Sequence, residues 1–169
     1  MQIVRRSSQF FSTTAVALFV AALVAVAAFA ATSPDQTRES YVAQAEPICK
    51  KNTKSNEQIL DGVRGKIKKG QLNVAAGQFT KASTAFGKAV TQLKAVPQPV
   101  ADAAKLAKWL GYLGDEKKLL GEIGKALKAG KKSQAQTLSV KLTHNGNLAN
   151  NAVLGFEFDY CLIDSSKFS

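Results

Sequence analysis

Histidine, methionine and tryptophan each occur once in this chain, cysteine twice and proline four times. Each scarcity excludes something. His144 is the single histidine and no Glu stands three residues before it, so the paired E-x-x-H set of a di-metal bundle is absent. Acids such as Glu46, Glu57 and Glu157 are scattered along the chain, and no metal and no cofactor is expected. There is no P-loop, no G-x-G-x-x-G and no G-x-S-x-G, the phosphate cradles and nucleophile elbow that many enzymes are built on. The two cysteines are too far apart for a C-x-x-C redox pair or a haem attachment site. The chain is therefore read as non-enzymatic. With so few prolines, and with abundant Ala, Leu, Lys and Gln, it is read as helical rather than as a β sandwich.

What is present begins with Arg5 and Arg6, followed by no charged residue before Asp35. A basic start, an apolar run from Ala15 to Ala31 and the A-x-A pattern Ala28-Phe29-Ala30 are the parts of a secretory signal peptide over residues 1–30. The run is slightly short of the ~20 residues that span a bilayer, and an uncleaved membrane anchor is the alternative. Either way the remainder is expected outside the cytoplasm, secreted or tethered to the outer face of the membrane. It is long enough for one domain with a real core.

Acidic residues are the other shortage: 12 against 23 basic ones, a formal charge of +11. A basic cytosolic chain would raise nucleic acid as a partner, but export removes it. Anionic envelope polymers or lipid head groups are the expected partners instead. Membrane contact is expected only through a retained N-terminal segment.

The apolar periodicity predicts an antiparallel up-down-up-down four-helix bundle over residues 47–165, after a linker or first helical segment over 31–46. Helix one runs to about Lys69 through Tyr41, Ile48, Ile59, Val63 and Ile67, with Pro47 either at its start or at a kink. Helix two carries the clearest stripe, Leu72, Ala76, Phe79, Ser83, Phe86, Val90 and Leu93, in alternating steps of four and three. Pro97-Gln98-Pro99 breaks the chain before helix three, whose inward positions are Leu106, Leu110, Leu113, Leu120, Ile123 and Leu127, with Lys118 and Glu122 as a surface pair. Helix four is expected from about Ser133 to Cys161, although Asn145-Gly146 is a turn signal within it. Phe156, Phe158, Tyr160 and Leu162 alternate at strand spacing, with no partner strand in view.

Residues 67–72 and 127–132 resemble each other, each joining two predicted helices at a Gly, which points to two tandem helical hairpins. In the predicted topology Cys49 and Cys161 fall at one end of the bundle, and an oxidising compartment would join them as a disulfide.

Two binding surfaces follow. The helix one–two and three–four turns should share a pole, collecting Arg64, Lys66, Lys68, Lys69, Lys125, Lys128, Lys131 and Lys132 as an anion-binding tip. Glycines inside the helices (Gly62, Gly65, Gly77, Gly87, Gly111, Gly114, Gly121, Gly124) mark either close helix packing or a slot for a small apolar ligand. The preferred function is an exported, non-enzymatic binding or structural module of the cell envelope. A carrier of a small apolar ligand between Gly-rich helices is the alternative.

Overall fold

The structure, a computed structural model, describes residues 36–164. The expected export segment lies outside them. All regular structure among the described residues is helical, with no strand. The helices are α1 (Arg38–Leu60), α2 (Val63–Lys68), α3 (Leu72–Ala95), α4 (Ala103–Lys128) and α5 (Lys132–Ala152), with one 3₁₀ turn at Val100–Asp102. Four long helices pack on one another: α1 on α3, α3 on α4, and α4 on α5, with α2 against α3.

The predicted stripes of helices two and three become the core. Ala76, Phe79, Phe86, Val90 and Leu93 of α3 face Leu106, Leu110, Leu113, Leu120, Ile123 and Leu127 of α4, all buried. The α3 face is wider than one stripe, since Ala75, Ala82 and Ala89 are buried too. Serving both α1 and α4 requires that width, and alanine permits close approach on the second side. At Gly124 a Cβ would lie 3.1 Å from the Ala76 carbonyl oxygen, so here glycine marks tight α3–α4 packing.

Helix one is corrected in two ways. It begins at Arg38, capped by the Thr37 side chain accepting from the Ser40 N–H, and continues through Pro47, which is exposed. Tyr41 and Ala45, ahead of that proline, have no exposed surface. The helix also stops at Leu60 instead of reaching Lys69. Asp61 and Gly62 turn the chain (Gly62 φ +65°), and α2 follows. The Gln78 amide on α3 donates to the Ile59 and Asp61 carbonyl oxygens at 2.7 and 3.0 Å, so the freed end of α1 is capped by tertiary structure.

The fourth helix is corrected as well. It is continuous through Asn145-Gly146, both buried, but ends at Ala152 and not at Cys161. Gly155 at φ +86° and Glu157 at φ +55° are left-handed and cannot continue a right-handed helix. Residues 153–164 form an irregular strap in which the expected two-residue alternation holds only for Phe156 and Phe158 and shifts phase beyond them, Cys161 being the next buried residue. Phe156 and Phe158 point inward; Tyr160 and Leu162 are exposed. Phe158 stacks on Trp109 with ring centroids 5.4 Å apart, and both strap phenylalanines meet the Tyr41 ring edgewise.

Lys118 forms its close ion pair with Asp115, at 2.9 Å and three residues away on α4, and feels the expected partner Glu122 only as a weaker, longer-range charge.

The two hairpin turns match bond for bond. In the first, Gly70 N–H donates to Ile67 O and Gln71 N–H to Lys66 O; in the second, Gly130 N–H donates to Leu127 O and Lys131 N–H to Ala126 O. Gly70 (φ +76°) and Gly130 (φ +73°) occupy the left-handed position that this helix-ending motif requires. Buried residues recur at the same offset: Asn56 and Glu116, Leu60 and Leu120, Val63 and Ile123, Ala75 and Ala135, Ala82 and Ala89 with Leu142 and Ala149. The core register, not only the turn, is repeated.

Candidate functional site

The strap is fastened to α1 and α5, and this creates the main concavity. Glu46 on α1 accepts the N–H groups of Asp159, Tyr160 and Cys161 at 3.0–3.2 Å. The Asn150 amide on α5 grips Ile163 at both ends, donating to its carbonyl and accepting its N–H. Cys49 and Cys161 form a disulfide across a sequence separation of 112. Both predicted cysteines are thus brought together. Cys49, however, sits in the middle of α1 and Cys161 on the strap, so the bond clamps a returning segment to a helix flank. At the strap's other end Arg38 donates to both Asp102 carboxylate oxygens at 2.9 and 2.7 Å and lies 4.9 Å from the Phe156 ring centroid. This pairing holds the Asp102 carboxyl below its ordinary pKa.

Under the strap lies a groove of about 610 Å³ between α1, α3 and α4, within the usual volume range of small-molecule sites. Its apolar wall includes Leu60, Phe86, Leu93, Leu113 and Leu120, and Trp109 and the disulfide also line it. No glycine lines this groove.

Three polar side chains are buried in this apolar surround. Asn56 is 4% exposed; its amide nitrogen donates to Asn52 Oδ1 while its own Oδ1 has no partner. Trp109 is fully buried with an unpaired Nε1–H. Glu116 is 2% exposed and accepts from Asn145 Nδ2 at 2.7 Å. Burial pushes the Glu116 pKa up to about 7, against the smaller opposing effect of the Asn145 bond. Sequence reading missed all three as site residues. A signal existed: Asn56 and Glu116 occupy core positions of their stripes, Asn56 between Cys49 and Leu60, Glu116 between Leu113 and Leu120.

The predicted basic residues come together in part. A second, open groove is lined by Gly70–Val74 on one side and Leu127, Lys128 and Gly130 on the other, so the two turns are neighbours. Lys68, Lys69, Lys125, Lys128, Lys131 and Lys132 are exposed around them. Lys66 is half-buried and donates to the Asp61 carbonyl at 3.2 Å, and Arg64 is exposed on α2. His144 is exposed on α5, and among the described residues no three potential metal ligands gather.

No family model matches the chain, and neither a curated protein nor a solved structure is similar to it.

Proposed function

We propose that this protein is an extracytoplasmic, non-enzymatic up-down-up-down four-helix module that binds a small, largely apolar ligand in the groove under its C-terminal strap. The observation that carries the reading is the unpaired Asn56 Oδ1 in a groove of about 610 Å³. A buried polar atom without a partner costs about 1–3 kcal/mol, and a ligand carrying a donor would remove that cost. The disulfide supports an oxidising compartment, and among the described residues no helix is long and apolar enough to cross a membrane.

The test uses a neutral environment-sensitive dye, phenylnaphthylamine, with Trp109 as the intrinsic reporter. Saturable binding that shifts Trp109 emission and disappears in Leu113→Phe, which fills the groove, is expected. Absence of saturable binding to the folded, oxidised protein overturns the reading. The intact mass of protein recovered from its own host tests the compartment: loss of residues 1–30 with a two-hydrogen deficit is expected, and free thiols would contradict it.

A second reading is favoured by the juxtaposition of the two turns. The lysines around them form a cationic tip suited to anionic wall polymers or lipid head groups, which the helix N-termini of α3 and α5 would reinforce. The two surfaces are separate and can operate together.

A further inference from the structure

We propose that the groove selects an organic cation, a protonated amine on an apolar body, with its ammonium set against Glu116 and the Asn56 side-chain oxygen. This deepens the ligand-binding reading above and rests on it. The first observation is one of charge. In a chain of net charge +11, the groove is lined by Glu57, Glu116, Asp159 and Asp164 against one basic residue, Lys54. The polarity of the molecule is inverted at this place.

The second observation is the kind of polar atom buried there. Asn56 presents an unpartnered acceptor, and the Glu116 carboxylate is met by one amide donor, Asn145 Nδ2. Among the described residues no lysine or arginine pairs with Glu116. Buried acceptors without a cation, at the floor of an open groove, are complemented by a group that brings several N–H donors and a positive charge. An ammonium carries three such donors and no acceptor. An alcohol could satisfy Asn56 but would leave a buried carboxylate uncompensated, which is the costly state for a charge.

The third observation separates an organic cation from a metal ion. Among the described residues no three ligating side chains converge, so the carboxylates are distributed along the wall and not focused on a point. The apolar part of the lining includes Leu60, Leu93, Leu113, Leu120 and Phe86, which offer contact to an apolar body and, at Phe86, to a cation over its ring.

The experiment compares phenylbutylamine with phenylbutanol, matched in size and apolar surface, on the full-length oxidised chain at about pH 8, where the amine is protonated. Calorimetry and Trp109 emission give the affinities. The amine should bind at least ~10-fold more tightly than the alcohol, the scale of one charge-assisted hydrogen bond. Glu116→Gln should bring the amine down to the alcohol's affinity and leave the alcohol within about twofold. Asp159→Asn, an exposed wall position, should weaken the amine alone and by less, which guards against a folding defect in the first variant. Equal affinity for both probes, or an unchanged amine preference in Glu116→Gln, overturns the cation inference while leaving the groove as a ligand site. Failure of both probes to bind or to move Trp109 emission overturns the groove reading with it.

Discussion

The Tyr41 hydroxyl is sealed in the core without a hydrogen-bond partner, and burial pushes its pKa up to about 12. The ring is held edgewise by Phe156 and Phe158, which need only its aromatic body. Tyr41→Phe should therefore raise stability by about 1 kcal/mol, read as a higher urea midpoint at unchanged slope. Glu116 gives a pH dependence of definite sign. Its folded pKa, about 7, lies above that of the unfolded chain, so the folded state holds the extra proton between the two values. Stability is largest below the unfolded pKa and falls as pH rises toward 7, by about 3 kcal/mol in all. Asp102 has the opposite sign: its pKa is depressed by Arg38, and its contribution is lost as pH falls through the folded value. An optimum in mildly acidic solution follows, and Glu116→Gln should flatten the alkaline side of the profile. At this scale the sequence was least legible. Asn56 and Glu116 interrupt their stripes as polar residues, and a reading that counts only apolar positions passes over them.

Elements were read well where a helix buries one continuous stripe and poorly where tertiary contacts override it. The α3 and α4 stripes and their Pro97–Pro99 break stand as expected. Helix one was overextended because its apolar spacing continues into α2, whereas the end of α1 is set by Gly62 and by Gln78 reaching across from α3. The last helix was overextended because Phe156 is in helical phase with Ala149 and Ala152, yet it is buried from an irregular strap. Gly155→Ala tests that account. It forces a side chain into φ +86° and should cost about 1–2 kcal/mol, lowering the urea midpoint while far-ultraviolet helix content is kept. An increase in helix content, with α5 extending into the strap, would contradict it.

On the scale of the molecule, Lys68, Lys69, Lys125, Lys128, Lys131 and Lys132 are exposed around the two turns. Two acids have structural tasks: Glu46 caps the strap and Asp102 holds Arg38. Binding to anionic vesicles or wall polymer through the lysine tip should weaken steeply between ~0.05 and 0.5 M salt as the Debye length shrinks. Replacing Lys68, Lys69, Lys131 and Lys132 by Ser should abolish it without shifting the groove ligand's affinity. Retained vesicle or polymer binding in that variant removes the tip as a site. The disulfide was legible from the expected topology and compartment together, although its anchoring points, mid-α1 and the strap rather than two helix ends, were not. Closing a loop of 112 residues stabilises the fold by ~4–5 kcal/mol on the chain-entropy model. It also makes nearly the whole domain a covalent ring, since α2, α3, α4, α5 and all three inter-helix connections after α2 begins lie between Cys49 and Cys161. A protease that cuts any one of those exposed connections opens the ring without releasing a fragment. Limited digestion should leave a nicked product that runs as one species until it is reduced, so the domain would survive a single cut in a compartment rich in peptidases.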